Sequence, residues 1–178
     1  MQKETKEVVH VMLSEEVIEK RISEMAQQIS RDYQGKDLRL LCILKGSVFF
    51  CCELAKRLTI PVTLDFMSVS SYGNGTETSG QIQIKKELDE SVEGVHCLIV
   101  EDIIESGNTL AWMKEQLFRR GPASLRLCAL LDKPDRREVE VAVDYIGFEI
   151  PDEFVVGYGL DYDQKYRNLP YIGAVKFD

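Results

Sequence analysis

Two adjacent carboxylates, followed by a turn of small and hydroxyl-bearing residues, form the most chemically suggestive stretch of the 178-residue chain. Glu101 and Asp102 follow the apolar run 98–100, and the turn 105–109 separates them from a helical pattern. Backbone N–H groups at a strand-to-helix turn, together with the helix dipole, favour an anion such as phosphate. Carboxylates cannot bind that same phosphate, but they suit sugar hydroxyls or a hard metal ion. The stretch therefore predicts a site for a ribose phosphate.

The same stretch also has a purely structural interpretation. Asp, Gly and Thr commonly cap turns in α/β proteins, so the turn 105–109 alone is not diagnostic. Two adjacent acids at the end of an apolar strand are harder to accommodate without a ligand, because a charge beside a core needs partners. We therefore favour a functional site.

The composition limits the class of protein. A hydrophobic fraction of 44% in 178 residues is sufficient for one domain with a full core. The net charge of −8 argues against general binding to nucleic acid or to an anionic membrane, although local cations can still hold a phosphorylated small molecule. Five irregularly spaced cysteines and two histidines predict neither a disulfide framework nor a zinc site. Without a signal-peptide pattern or a membrane-length apolar run, we expect a cytoplasmic protein.

Alternating strand and helix patterns predict an α/β fold with a mostly parallel central sheet flanked by helices. The helices are expected at 14–33, after the turn at 45–47, and at 109–120; the strands are expected at 38–44, 62–69, 95–100, 124–131, 142–148, 154–158 and 171–177. Ligands of such sheets bind at the carboxyl ends of the strands. Lys45, the acid pair 101–102 and Lys133 all fall at such ends, which is difficult to explain by chance.

The segment 70–80 contains three glycines and many hydroxyl-bearing residues. Long loops in compact domains are often functional lids, and a wide flexible hairpin is an equally good interpretation.

Five motifs together resemble the type I phosphoribosyltransferases, in particular those that use purine bases. They are LKGS at 44–47, DFMSVSSYGNG at 65–75, VEDIIESGNTL at 100–110, LLDKPDRR at 130–137 and IGFEIPDEFVVGYGLDYDQKYRNLPYIG at 146–173. The resemblance covers about residues 8–176. It implies one domain over 1–178: a core at about 35–145, a hood formed by the N-terminal segment and about 146–178 over the carboxyl ends of the strands, and a mobile lid at about 70–82.

The resemblance also implies an activity in purine salvage. Members of this family transfer ribose 5-phosphate from phosphoribosyl diphosphate to N9 of a purine, with Mg²⁺ required and pyrophosphate leaving. The implied base is a 6-oxopurine, namely hypoxanthine and also guanine. The family is commonly dimeric or tetrameric, so a homodimer or homotetramer is expected.

For the sugar phosphate, the resemblance assigns roles to the acid pair and to the turn that follows it. Glu101 and Asp102 resemble the residues that contact the ribose 2′- and 3′-hydroxyls. Together with Asp161, they are the implied ligands of Mg²⁺. The residues of the implied 5′-phosphate cradle are Ser106, Gly107, Asn108 and Thr109.

For the diphosphate, Lys45 and Gly46 resemble the pyrophosphate loop. This loop often contains a cis non-proline peptide in the family, and the Lys45–Gly46 bond is the candidate here. Arg167 resembles the arginine that contacts pyrophosphate, since a guanidinium fork suits phosphate oxygens. Ser71 and Tyr72 resemble the tip of the lid.

For the base, Lys133 resembles the lysine that donates to the purine 6-oxo group. Such a donor disfavours adenine, whose 6-amino group is itself a donor. Phe154 resembles the aromatic residue that stacks on the base, and the backbone of Val155 is implied to reach the base edge. Taken alone, Lys133 would be a loop charge and Phe154 a core residue.

One position departs from the family pattern. The usual motif reads D-I-I-D-[ST]-G, whereas this chain has Glu105 where the second Asp is expected. That residue resembles the general base that takes the proton near N7 of the purine. Glutamate has a similar reference pKa, but its extra methylene moves the carboxylate by roughly 1.5 Å. Since errors of about 1 Å can cost ~10²-fold in rate, Glu105 either uses another rotamer, works more slowly, or mainly positions the base.

Three alternative functions stay open from the sequence. The first is a related transferase that prefers xanthine. The second is a regulatory protein on the same fold that binds RNA, although the acidic balance opposes it. The third is a nucleotide-binding protein with weak catalytic activity, an idea that Glu105 supports.

Overall fold

The computed structural model describes residues 7–72 and 81–177, apart from the side chains of Glu7 and Tyr72. In chain order the elements are β1 (Glu7–Leu13), α1 (Glu15–Asp32), β2 (Leu38–Ile43), α2 (Val48–Arg57), β3 (Val62–Tyr72), β4 (Gln81–Lys86), β5 (His96–Ile104), α3 (Asn108–Phe118), β6 (Ser124–Asp132), a 3₁₀ turn (Pro134–Arg136), β7 (Tyr145–Glu149), β8 (Val155–Val156) and β9 (Ile172–Phe177). None of the helices described is long and apolar enough to cross a membrane.

Six strands form the central sheet in the order β4-β3-β2-β5-β6-β7. All neighbouring pairs are parallel except β3 and β4, which are antiparallel. A second, three-stranded antiparallel sheet has the order β1-β9-β8. The prediction of an α/β fold with a mostly parallel sheet is confirmed.

Helices cover the central sheet because its inner strands are apolar on both faces. All residues of β2 except Arg39 are buried, and β5 is buried over residues 97–100. One face packs against α1 and α2, where Phe50 and Leu54 are fully buried. The other packs against α3 through Met113 and Leu117. The sheet is therefore a rigid middle layer from which loops project.

The strand register brings the functional ends of the strands together. Cys42 of β2 pairs with Val100 of β5, which in turn pairs with Cys128 of β6. β2 ends two residues before Lys45, and β6 ends directly before Lys133. Both lysines therefore leave the sheet at the same edge as the end of β5.

Several boundaries differ from the sequence expectation. β5 continues to Ile104 because its pairing with β6 continues to Asp132, so the acid pair 101–102 lies within the strand. β7 begins at Tyr145, and β8 covers only 155–156. The sequence analysis predicted neither β1 nor β4, which are edge strands with short or alternating apolar patterns.

The predicted lid lies partly outside the described residues. β3 and β4 flank it and pair antiparallel up to Tyr72 and Gln81. Ser71 is exposed and belongs to β3, whereas residues 73–80 and the side chain of Tyr72 are not described. The lid at about 70–82 and the division into core and hood stay predictions.

A buried carboxylate connects β3 to the segment between β4 and β5. Asp65 is only 3% exposed and accepts hydrogen bonds from the backbone N–H groups of Phe66 (2.8 Å), Asp89 and Glu90 (3.1 Å each). Burial alone would raise the pKa of Asp65, but the donated N–H groups outweigh it and the pKa is lowered. The charged form is therefore the one that stabilises this connection.

We predict that Asp65→Asn destabilises the fold in a pH-dependent way. At pH 7 the free energy of unfolding should fall by about 1–3 kcal/mol, because one oxygen acceptor becomes an N–H₂ donor facing N–H groups. Since the folded pKa is lowered, this contribution is present above the unfolded pKa of about 3.9 and is lost as the pH falls through the folded value.

Urea unfolding of both proteins across the acid range measures this difference. The exposed Asp37→Asn is the matched control and should change little. An Asp65→Asn deficit that stays the same at pH 7 and below pH ~4 would contradict the assignment.

Candidate active site

The loop after β2 lies against the acid pair of β5. An added Cβ at Gly46 would lie 1.7 Å from Oδ2 and 2.8 Å from Cγ of Asp102, so a side chain at this position would have to displace that carboxylate. The same loop touches a distant segment, since a Cβ at Gly159 would lie 2.0 Å from the carbonyl oxygen of Gly46. Gly159 also has a φ of +101°, which favours glycine. The backbone of Gly46 is therefore in close contact with both the Asp102 carboxylate and Gly159.

The cis peptide of this loop is at a different bond from the one expected. It joins Leu44 and Lys45, rather than Lys45 and Gly46. Lys45 itself is exposed, and its Nζ donates to Oε1 of Gln164 at 3.3 Å.

The acid pair lies in a poorly hydrated position. Loss of hydration raises the pKa of Glu101 well above its ordinary value, and the neighbouring charge of Asp102 raises it further. Loss of hydration also raises the pKa of Asp102. The N–H of Asp102 donates to Glu101 Oε1 at 3.1 Å, and the N–H of Ile103 donates to Asp102 Oδ1 at 2.6 Å. Two adjacent carboxylates can bind a hard cation or accept hydrogen bonds from sugar hydroxyls. Either ligand would reduce the repulsion between their negative charges.

The turn after β5 is fixed by the segment that follows β6. Gly107 precedes α3 with a φ of +85°, and a Cβ there would lie 2.5 Å from the carbonyl oxygen of Val139. The carbonyl of Ser106 accepts from the N–H groups of Glu138 (2.9 Å) and Val139 (3.0 Å). The first N–H groups of a helix have no partner within the helix, so the N-terminus of α3 is aimed at this turn. Thr109 lies in its first turn.

Lys133 and Glu105 form an ion pair across the site. Lys133 is 3% exposed, and its Nζ lies 2.8 Å from Oε1 of Glu105. Arg137 supports both residues, because it donates to the backbone carbonyl of Glu105 at 3.1 Å and pairs with Asp132, the neighbour of Lys133. The longer side chain of glutamate thus reaches the lysine directly.

Arg167 is held by several acceptors of its own segment. Its Nη1 donates to the carbonyl of Gly159 at 2.7 Å, and its Nη2 lies 3.2 Å from Oδ1 of Asp161. The same Nη2 donates to Oε1 of Gln164 at 3.3 Å. The positive charge of Arg167 also lowers the pKa of Asp102, against the larger effect of lost hydration.

Phe154 is 45% exposed and is not a core residue. Its ring lies edge-on to Tyr162 with centroids 5.6 Å apart, and it is tilted against Phe177 at 6.2 Å. Val155 is buried in β8. An exposed, supported ring is available for stacking.

The structure does not assemble the metal ligand set implied by the resemblance. Among residues 7–72 and 81–177 there is no group of three or more His, Cys, Asp or Glu side chains that could hold a metal ion. The oxygens of Asp161 are instead engaged by Arg167 and by the N–H of Gln164 at 2.8 Å. Glu101 and Asp102 remain adjacent, and Mg²⁺ commonly uses one or two carboxylates with substrate phosphates and water.

Some residues that shape the site were not identified from the sequence. The most informative are Gln164, which contacts two predicted site cations, and Arg137, which supports the Glu105–Lys133 pair. Both lie within the quoted motifs. Only three-dimensional contacts distinguish them from their polar neighbours.

Comparison with known proteins defines the class to which this fold and site belong. Residues 12–163 match the family model of the phosphoribosyl transferase domain, so the chain belongs to the phosphoribosyltransferase family.

Within that family the chain is similar to enzymes named for purine bases. It is 51% identical over 172 residues to the hypoxanthine phosphoribosyltransferase of Salmonella typhimurium, covering 96% of this chain and 97% of that protein. It is 47% identical over 175 residues to the hypoxanthine-guanine phosphoribosyltransferase of Mycobacterium bovis, covering 95% and 87%. The crystal structure of a hypoxanthine-guanine phosphoribosyltransferase from Bacillus anthracis matches with a TM-score of 0.90 and 41% identity, covering 96% of this chain and all of that one.

We predict that Gly46→Ala damages the site more than the fold. The new methyl group must displace the Asp102 carboxylate, and displacements of about 1 Å can cost ~10²-fold in rate. Phosphoribosyl transfer should fall by about that factor while the thermal unfolding midpoint changes little.

Gly94→Ala is the matched control for that substitution. Its Cβ would meet nothing within 4 Å, but its φ of +70° disfavours alanine. This variant should lose about 1 kcal/mol of stability and no activity. A Gly46→Ala protein with near-normal turnover would show that the contact with Asp102 is dispensable.

Proposed function

We propose that this protein transfers the 5-phosphoribosyl group from phosphoribosyl diphosphate to N9 of hypoxanthine, and of guanine, with Mg²⁺ required. The products are IMP or GMP and pyrophosphate, which places the reaction in purine salvage. The observation that carries the proposal is the convergence at one sheet edge of an acid pair, a glycine-containing strand-to-helix turn and a buried lysine. Similarity of about 50% to hypoxanthine phosphoribosyltransferases over nearly the whole chain supports it.

The sugar phosphate would be held by the end of β5 and the turn that follows it. The 5′-phosphate would accept hydrogen bonds from backbone N–H groups of the turn 106–109, with the Ser106 and Thr109 hydroxyls adding donors. Glu101 and Asp102 would accept from the ribose 2′- and 3′-hydroxyls and hold Mg²⁺, which, when bound, supplies positive charge to the diphosphate side.

The leaving pyrophosphate would meet two cationic side chains. Lys45 and Arg167 lie on the side of the acid pair where the loop after β2 contacts Gly159. Their charges would stabilise the negative charge that develops as the C1–oxygen bond breaks. Ser71 and Tyr72 would belong to the segment that excludes water from the activated sugar.

The base would be fixed by Lys133, Phe154 and Val155. The ammonium of Lys133 has three N–H groups, so its bond to Glu105 leaves donor capacity for a 6-oxo oxygen. Phe154 would stack on the ring, and the backbone of Val155 would meet its edge. Asp161 would act beside the base and pyrophosphate through its contacts with Arg167. Glu105 would accept the proton from N7 as the bond to N9 forms.

The surroundings of the reaction are also part of the proposal. A homodimer or homotetramer would cover exposed apolar side chains of the first two helices, among them Val17 and Phe49. A cytoplasmic location and the lack of nucleic-acid binding are supported by the net charge of −8 and by the buried cysteines.

The decisive measurement is pyrophosphate release from phosphoribosyl diphosphate and Mg²⁺ with each of four bases. We predict rapid release with hypoxanthine or guanine and slow release with adenine, because Lys133 donates where adenine also donates. Fastest release with xanthine would establish the xanthine-preferring alternative. No release with any purine, in folded protein that binds phosphoribosyl diphosphate, would favour the regulatory protein.

We predict that Glu105→Gln lowers kcat by about 10²- to 10⁴-fold, since the amide cannot accept the proton. Glu105→Asp is the matched control and should lose less activity than Glu105→Gln, because its carboxylate is displaced but can still accept the proton. Activity of Glu105→Gln within threefold of the unsubstituted protein would assign Glu105 to positioning the base.

A further inference from the structure

One uncharged side chain connects the two cations of the pyrophosphate side. Oε1 of Gln164 accepts from Nζ of Lys45 at 3.3 Å and from Nη2 of Arg167 at 3.3 Å. Because a single oxygen contacts both nitrogens, the two charges cannot be farther apart than twice that distance. They come from segments more than one hundred residues apart in the chain.

The backbone around Gln164 aims its amide at this point. The N–H of Gln164 donates to Oδ2 of Asp161 at 2.8 Å. Its φ is +64°, and Asp163 and Tyr166 also have positive φ values, of 50° and 74°. Non-glycine residues adopt this region only when their surroundings impose it. The turn therefore places Gln164 next to Lys45 and Arg167, and the two hydrogen bonds to these cations hold its exposed side chain there.

A bridging acceptor has a physical purpose between like charges. Lys45 and Arg167 repel each other, and the exposed lysine would otherwise extend into solvent. The partial negative charge of the amide oxygen draws both donors to one place. An anionic phosphate oxygen makes hydrogen bonds roughly twice as strong as a neutral acceptor does, so it can replace the amide there.

We propose that Gln164 is a positioning residue of the pyrophosphate subsite. In the free protein its amide oxygen holds Lys45 and Arg167 together at the place that a diphosphate oxygen takes on binding. This inference rests on the proposed function and deepens it by adding a residue that does not itself react.

The absence of charge on Gln164 is essential to this role. A carboxylate at the same place would bind the two cations tightly and compete with the diphosphate. Arg167 already has one carboxylate partner, Asp161 at 3.2 Å, so a second would neutralise the subsite. A neutral acceptor organises the cations and still yields to the substrate.

Two variants of nearly constant size test these statements. Gln164→Glu adds the competing charge, and Gln164→Met removes the acceptor. Calorimetric titration with inorganic pyrophosphate and Mg²⁺ should show binding weakened about tenfold or more in the first and about threefold in the second. The KM for phosphoribosyl diphosphate should rise by similar factors, while the KM for hypoxanthine stays within about twofold.

The exposed Gln28→Glu on α1 repeats the charge change away from the site and should alter neither constant. A merely structural role would instead lower the unfolding midpoint and raise both KM values together. Unchanged pyrophosphate binding in both variants, tighter binding in Gln164→Met, or no binding of pyrophosphate by the unsubstituted protein would each overturn the inference. Failure of the proposed function would be recognised separately, as pyrophosphate binding without turnover of any purine.

Discussion

The arrangement of this protein depends on keeping two neighbouring carboxylates, Glu101 and Asp102, in a poorly hydrated position within a strand. Loss of water and mutual repulsion both disfavour their charged forms. The parallel sheet makes the position possible, because β5 pairs with β2 as far as Val100 and with β6 as far as Ile104. The backbone N–H groups of Asp102 and Ile103 donate hydrogen bonds to the two carboxylates. The fold leaves part of the negative charge of Glu101 and Asp102 without a partner. A ligand that brings positive charge or hydroxyl donors would stabilise it.

The positive charges around this pair are each held by a different structural device. Lys133 is buried at the end of β6 and paired with Glu105, whereas Lys45 is exposed on a loop. Arg167 is fastened to the carbonyl of Gly159 within a turn of unusual backbone conformation. A chain with a net charge of −8 thus places three cationic side chains around its acid pair.

The central sheet and the positions of the chemical groups were predictable because their patterns are local. Apolar runs that end close to Lys45, the acid pair and Lys133 indicated the carboxyl-terminal parts of three strands, and the sheet brought those parts together. Edge strands were not predictable, because β1 and β4 are stabilised by pairing with distant partners rather than by their own patterns. The ion pair between Asp161 and Arg167 was not predictable either, because contacts among the side chains of one polar turn produce no periodic pattern in the sequence.

The contact between Gly46 and Gly159 has a consequence for how this sequence can diverge. Asp102, Gly46 and Gly159 are stacked so closely that neither glycine can gain a side chain without moving a carboxylate or a carbonyl. At Gly159 a second substitution cannot easily relieve the first, because the space is filled by the main chain of Gly46. At Gly46 the obstacle is the side chain of Asp102, which belongs to the site itself. Drift among descendants of this protein should therefore avoid both positions and accumulate at exposed ones away from the site, such as Gln28. Both glycines, although far apart in the sequence, should then be retained together in proteins whose flanking loops have diverged.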